Sequence, residues 1–268
     1  MTTHDHRTDQ LPEALSRALP LLNDVARPLD SRQGYLDLLG PGWNPDTGAD
    51  SADNADTEGN GNIIRLRLQR LWESGIGSVL YDQYQAVARR RLGSLWRVPM
   101  APLRLREGDI ALDVACGPGE VTATLGRSVG AEGLALGLDV SVPMLSRAVR
   151  SHSAPNVGFL RADASRLPFR DGTITVITCV AALQLMPRPI EVIRQMVRVL
   201  APGGRIAIMV PTLLGGSADT ANRYLGQFFD VHFFAERDIA GSLGHFGIQE
   251  TISRRVGPVQ WTVARKAS

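Results

Sequence analysis

Between Ile110 and Val210, short uninterrupted apolar runs alternate with longer stretches whose apolar residues recur at helical spacing. Ile110 to Ala115, Leu134 to Asp139, Val157 to Arg161, Ile174 to Ala181 and Arg205 to Val210 hold too few polar positions for a sheet with one wet face, so they predict strands buried on both sides. Glu120 to Val129, Val142 to His152 and Pro189 to Leu200 carry the 3.6-residue period of amphipathic helices. This alternation predicts an α/β fold with a doubly wound, mostly parallel sheet. Ile248 to Val256 and Val259 to Ala264, separated by Gly257 and Pro258, predict a closing antiparallel hairpin. The expected architecture is a Rossmann-like, seven-stranded sheet with an N-terminal helical cap.

Upstream of Gly108 the texture differs. In the first segment, 1–43, Leu11, Leu15, Leu19 and Leu22, then Tyr35, Leu36, Leu38 and Leu39, predict two short helices around Pro28. Residues 44–62 hold no aromatic or branched aliphatic side chain and are acidic throughout, so a disordered linker is expected there. In the next segment, 63–107, the charge reverses: between Ile63 and Arg106 the arginines from Arg65 to Arg106 face only Glu73 and Asp82, on what reads as two basic amphipathic helices. Those arginines suit a solvated face, or peripheral contact with a membrane surface. The remaining 108–268 forms the ligand-binding domain, with a lid insertion near 211–234. Residues 11–39 are expected to fold back over the acceptor side of the sheet and 63–96 to pack nearer the ligand.

Composition narrows the function. A chain of 268 residues, 44% hydrophobic, supports one α/β core plus an accessory segment. Its net charge of +2 is too small to argue for nucleic acid. Cys116 and Cys179 fall in no metal-ligand spacing, so no metal is expected. The sequence shows neither an eighteen-residue apolar run nor a signal-peptide pattern at its first residues, which makes a cytoplasmic protein the expectation.

The first predicted strand runs into Asp113-Val114-Ala115-Cys116-Gly117-Pro118-Gly119 and then a helix. Glycines at such a turn let a ligand approach the backbone at the carboxyl end of the sheet, although a Gly-Pro-Gly turn also serves as a plain connection. The second strand ends at Asp139, twenty positions after Gly119, where a carboxylate can accept from a ribose diol or merely precede a helix cap at Ser141. A nicotinamide dehydrogenase would need a third glycine where Thr122 stands.

With these residues the sequence resembles the class I S-adenosylmethionine-dependent methyltransferases, in particular the small-molecule group that includes quinone-biosynthesis enzymes. Its glycine motif is similar to Asp113, Ala115, Gly117 and Gly119, with Ala115 replacing a glycine. Its adenine motif resembles Asp163-Ala164 followed by Leu167-Pro168-Phe169, and its Leu-x-Pro-Gly-Gly signature matches Leu200-Ala201-Pro202-Gly203-Gly204. The resemblance implies S-adenosyl-L-methionine as cofactor, with Asp139 on the ribose, Asp163 on the adenine amino group, and Cys116, Val140, Met144, Ala164, Cys179 and Gln184 nearby. Tyr81 resembles a tyrosine that caps the methionine end. Many relatives carry Leu-His after the fourth strand, whereas this chain has Leu183-Gln184, which leaves Gln184 an orienting group. His232, among four phenylalanines, is then the candidate catalytic base. The implied reaction is methyl transfer to a small hydrophobic acceptor such as a quinone, polyketide or lipid-like compound. A non-catalytic cofactor-binding module remains the alternative.

Overall fold

The computed structural model describes residues 11–23, 29–40, 43, 98–212, 232, 234–257 and 259–268. Tyr81, the acidic stretch 44–62, most of the basic stretch 63–107 and most of the insertion 211–234 lie outside them.

The strands of the central sheet are β1 (Leu36–Asp37), β2 (Ile110–Val114), β3 (Leu134–Asp139), β4 (Val157–Arg161), β5 (Ile174–Val180), β6 (Leu200–Pro211), β7 (Glu250–Val256) and β8 (Val259–Arg265). Their order is β1-β4-β3-β2-β5-β6-β8-β7. All neighbours run parallel except β6 with β8 and β8 with β7, which are antiparallel. The α/β class and the closing hairpin match the sequence pattern, but among the described residues the sheet has eight strands and not seven. The additional strand, β1, comes from the segment read as a second helix. Leu36 pairs in register with Leu160 and is fully buried, so Tyr35 to Leu39 follow the edge of the sheet and not a helical period. Strand β6 also begins earlier than expected: the Pro202-Gly203-Gly204 signature lies within it, at a register shift against β5, and Gly203 takes φ +72°.

Helices cover both faces. α1 (Glu13–Ala18), α2 (Met100–Leu103), α3 (Glu120–Val129), α4 (Val142–His152), α5 (Pro189–Val199) and α6 (Asp238–His245) divide between two apolar layers. α3 and α4 bring Leu125, Val129, Leu145 and Ala148 to one layer. α1, α5 and α6 bring Leu15, Val192, Met196 and Leu243 to the other. The link from β4 to β5 contains only a single 3-10 turn, Ala164–Arg166, so it supplies no full helix to the second layer over β3 and β4. α1 fills that place, and its Ala14 and Leu15 lie under Gly158 of β4.

The position of α1 corrects the expectation that residues 11–39 cover the acceptor side. Arg17 donates to the carbonyls of Ala131, Glu132 and Gly133 at 2.6 to 3.1 Å, just before β3 begins and thus at the opposite end from the glycine turn. Farther along, Arg161 at the end of β4 pairs with Asp37 at 3.0 Å and donates to the Gly40 and Val140 carbonyls. The first segment is therefore built into the core and the sheet edge. Replacing the fully buried Leu15 by Ala should cost about 2 to 5 kcal/mol in urea-induced unfolding, as for other buried leucines. A loss below about 1 kcal/mol would show that α1 is detachable.

Candidate cofactor and acceptor site

The site is built where β2 leaves the sheet. β2 and its neighbour β5 both exit through an alanine in the left-handed region, Ala115 at φ +56° and Ala181 at φ +53°. Each bends the chain sharply over the carboxyl edge. Gly117 at φ +53° and Gly119 at φ +87° continue the turn into α3. A β-carbon on Gly119 would lie 2.9 Å from both Ala148 and Phe159, so this glycine also permits close packing of α3.

Two acids fix the turn from different sides. Asp113 is 1% exposed, and its carboxylate accepts from the hydroxyls of Thr122 in α3 and Thr178 in β5, both at 2.8 Å. Burial pushes its carboxyl up to about 6, opposed by the two hydroxyl bonds and reinforced by nearby Asp139. It clamps strand, helix and neighbouring strand together below the turn. Sequence inspection did not single out Thr122 and Thr178 as its partners; their signal is two threonines at inward-facing positions where apolar side chains would be expected.

Asp139, at the end of β3, lies on the open side. One of its oxygens accepts the Gly117 N–H and the other the Ser141 N–H, both at 2.9 Å. Burial pushes its carboxyl above the usual range while these N–H groups pull it back. Ser141 caps α4 by accepting from the Met144 N–H. The structure thus joins Gly117, Asp139, Ser141 and Met144 in one continuous hydrogen-bond network of backbone N–H groups on side-chain oxygens, with Val140 anchored through its carbonyl to Arg161.

Asp163 stands past the end of β4, where one oxygen accepts the Ser165 N–H at 2.8 Å and holds the 3-10 turn containing Ala164. Cys116 and Cys179 are buried thiols flanking the turn. Burial and the neighbouring carboxylates push Cys116 well above its ordinary value, and burial pushes Cys179 to about 12. Cys179 packs in one apolar layer and Cys116 in the other.

Beyond β5, a 3-10 turn (Leu183–Leu185) carries Gln184. Its Nε2 donates to the Ala181 carbonyl at 2.8 Å, and its backbone carbonyl accepts the backbone N–H of His232 at 2.8 Å. His232 is therefore brought to the carboxyl end of β5. Gln184 Oε1 and, just past β6, Thr212 Oγ1 are buried and have no hydrogen-bond partner among the described residues.

Comparison with known proteins agrees with this geometry. A family model described as a methyltransferase domain matches residues 111–204. The ubiquinone/menaquinone biosynthesis C-methyltransferase of Azotobacter vinelandii is 34% identical over 168 residues, 61% of this chain and 64% of that protein. The demethylmenaquinone methyltransferase of Alkalihalophilus pseudofirmus is 30% identical over 168 residues, 61% of this chain and 67% of that one. The chain thus spans slightly under two thirds of the length of the Azotobacter relative. A solved S-adenosylmethionine-dependent methyltransferase from Aquifex aeolicus shares the fold, with a TM-score of 0.54 at 19% identity over 75% of this chain and 97% of its own. With its glycine turn, the acid at the end of β3 and these relatives, the chain belongs to the S-adenosylmethionine-dependent methyltransferase family.

Proposed function

We propose that this protein transfers a methyl group from S-adenosylmethionine to a small, apolar, quinone-like acceptor. The observation that carries the reading is the Asp139 carboxylate, held by two backbone N–H groups beside a turn of left-handed residues at the carboxyl end of the sheet. Each of its oxygens keeps a lone pair after accepting one N–H, which suits the paired hydroxyls of a ribose. Asp163 has an oxygen beyond the one engaged by Ser165, suited to an adenine amino group. The residues present therefore fit the family's cofactor. The names of the relatives in quinone biosynthesis support the acceptor class.

S-adenosylmethionine supplies an electrophilic methyl carbon on its sulfonium. The task of the chain is then to hold the nucleophile in line and to keep water away. Gly117, Gly119, Asp139 and Asp163 hold the nucleoside, with Val140, Met144 and Ala164 beside it. Asp113 supports the turn from beneath, since both its oxygens are taken by hydroxyls. His232 is the candidate base for an acceptor that must lose a proton. The same hydroxyl bond engages Thr122 where a dinucleotide-binding turn needs its third glycine, which argues against a nicotinamide dehydrogenase. Tyr81 and the basic helices, proposed to cap the cofactor and to touch a membrane surface, lie outside the described residues. Among the described residues no helix is long and apolar enough to cross a membrane.

Incubation with methyl-labelled S-adenosylmethionine and a lipid extract should yield a labelled, organic-soluble product. Its absence with every fraction, despite cofactor binding, would favour a non-catalytic module. In calorimetry with S-adenosylhomocysteine, Asp139→Ala should weaken binding by about tenfold to a hundredfold, the loss of a charged acceptor. An unchanged affinity in a folded variant would refute the assignment.

Asp113→Asn should leave affinity within about threefold, because its role is support. A raised carboxyl pKa means that the folded state holds its proton to higher pH than the unfolded chain. Its contribution is therefore fully present below about pH 4 and lost as pH rises through about 6, an order of 3 kcal/mol. Urea unfolding of Asp113→Asn should show a shallower fall in stability over that window; an unchanged slope would place the titration elsewhere.

A further inference from the structure

Reading along the carboxyl edge of the sheet, Asp139 ends β3, the glycine turn ends β2, Gln184 follows β5 and Thr212 follows β6. These four strands are consecutive neighbours, with Val114 opposite Cys179 and Val180 opposite Met209. At a strand spacing of about 5 Å, the β5 and β6 ends stand roughly 10 to 15 Å from the ribose acid. They are thus placed beyond the nucleoside, on the side left for the acceptor.

The two polar side chains at those ends differ from the acids of the nucleoside side, whose oxygens are engaged. Gln184 is 6% and Thr212 9% exposed, and neither Gln184 Oε1 nor Thr212 Oγ1 has a hydrogen-bond partner among the described residues. Buried polar atoms are normally satisfied, and Thr251 Oγ1 and Gln260 Oε1 on the closing hairpin are also unpartnered; Gln184 and Thr212 are set apart by lying past strand ends at the carboxyl edge, where such sheets bind ligands that can supply the partner. The orientation of the Gln184 amide is fixed by chemistry. Its Nε2 donates to the Ala181 carbonyl, and a flipped amide would set oxygen against oxygen. Oε1 is consequently an acceptor that can be satisfied only by a donor. Thr212 Oγ1 can donate or accept.

We propose that Gln184 and Thr212 form the polar recognition point for the acceptor, with Gln184 Oε1 receiving a hydrogen bond from a hydroxyl on an otherwise apolar ring and Thr212 Oγ1 bonding to a second oxygen or to that same hydroxyl. The specificity rests on the donor. A ring whose oxygens are all capped as ethers leaves Oε1 buried and unpaired, and is rejected for that reason. The rest of the acceptor packs on apolar side chains, so these two residues set its orientation and not its bulk affinity. This assignment rests on the methyl-transfer reading only for the identity of the crevice's occupant; the orphaned atoms exist independently of it.

The test compares 1-naphthol with 1-methoxynaphthalene, which differ only in the hydroxyl proton and one methyl group, by fluorescence titration of the full chain with and without S-adenosylhomocysteine. The protein should bind the naphthol at least about tenfold more tightly than the ether. Gln184→Leu should abolish that preference while leaving the affinity for the ether within about twofold. If Gln184→Leu does not fold, Thr212→Val, an isosteric change outside the Ala181 contact, should still weaken naphthol binding severalfold, and more than ether binding, because the ether is not seated by Gln184. Equal binding of both compounds to the unaltered protein, binding of neither, or an undiminished preference in both Gln184→Leu and Thr212→Val would overturn the proposal. Failure of S-adenosylhomocysteine to bind, with naphthol discrimination intact, would instead overturn the methyl-transfer reading and leave the recognition point standing.

Discussion

The structure depends on one requirement, that both faces of the central sheet be covered. Strands β2, β3 and β4 are apolar on both sides, and the helices connecting them, α3 and α4, lie over only one. With no full helix between β4 and β5, the other face over β3 and β4 would be wet. The chain meets this demand with a segment nearly a hundred residues upstream of β2: α1 packs on the bare face, Arg17 ties it to the carbonyls ahead of β3, and β1 closes the sheet edge beside β4. Parallel strands in the middle of a sheet tolerate no wet face, which explains why an accessory segment became part of the core.

Within that frame the buried polar groups fall into two kinds. Asp113 has both oxygens taken by Thr122 and Thr178, and Asp139 is held by one N–H on each oxygen, from Gly117 and Ser141, so the turn they hold is fixed before anything binds. Gln184 and Thr212 are left incomplete. The same low-dielectric surroundings that strengthen a finished hydrogen bond make an unfinished one costly. A rigid nucleoside side and an unsatisfied acceptor side, on adjacent strands, are what a protein needs if it is to hold one ligand in place while choosing another.

Much of this was legible in the sequence because it is local. The runs around Leu112, Leu136 and Ile177 are strands, the glycine turn follows β2, and Asp139 ends β3, all within a residue or so of the reading. What escaped depended on contacts between distant segments. The leucines of 11–22 carry a helical period that says nothing about which sheet face they meet, and Tyr35 to Leu39 look helical until Leu36 finds Leu160. Asp113 carries the acidic position of the cofactor motif, yet the hydroxyls that consume its oxygens come from residues 9 and 65 positions away. The role of Gln184 could not be read from its neighbours in the chain, since its importance lies in a partner that the fold withholds.

The two cysteines carry a practical consequence. They are the only cysteines in the chain, and both are buried with their thiols held far from the ionised form in which sulfur reacts. Alkylating and oxidising reagents will pass over them while the protein stays folded. A single cysteine introduced on an exposed position, such as Ser151 at the end of α4, would then be the one thiol to accept a fluorophore or spin label. Distances across the molecule could be followed in this background without first removing either native thiol from beside the glycine turn.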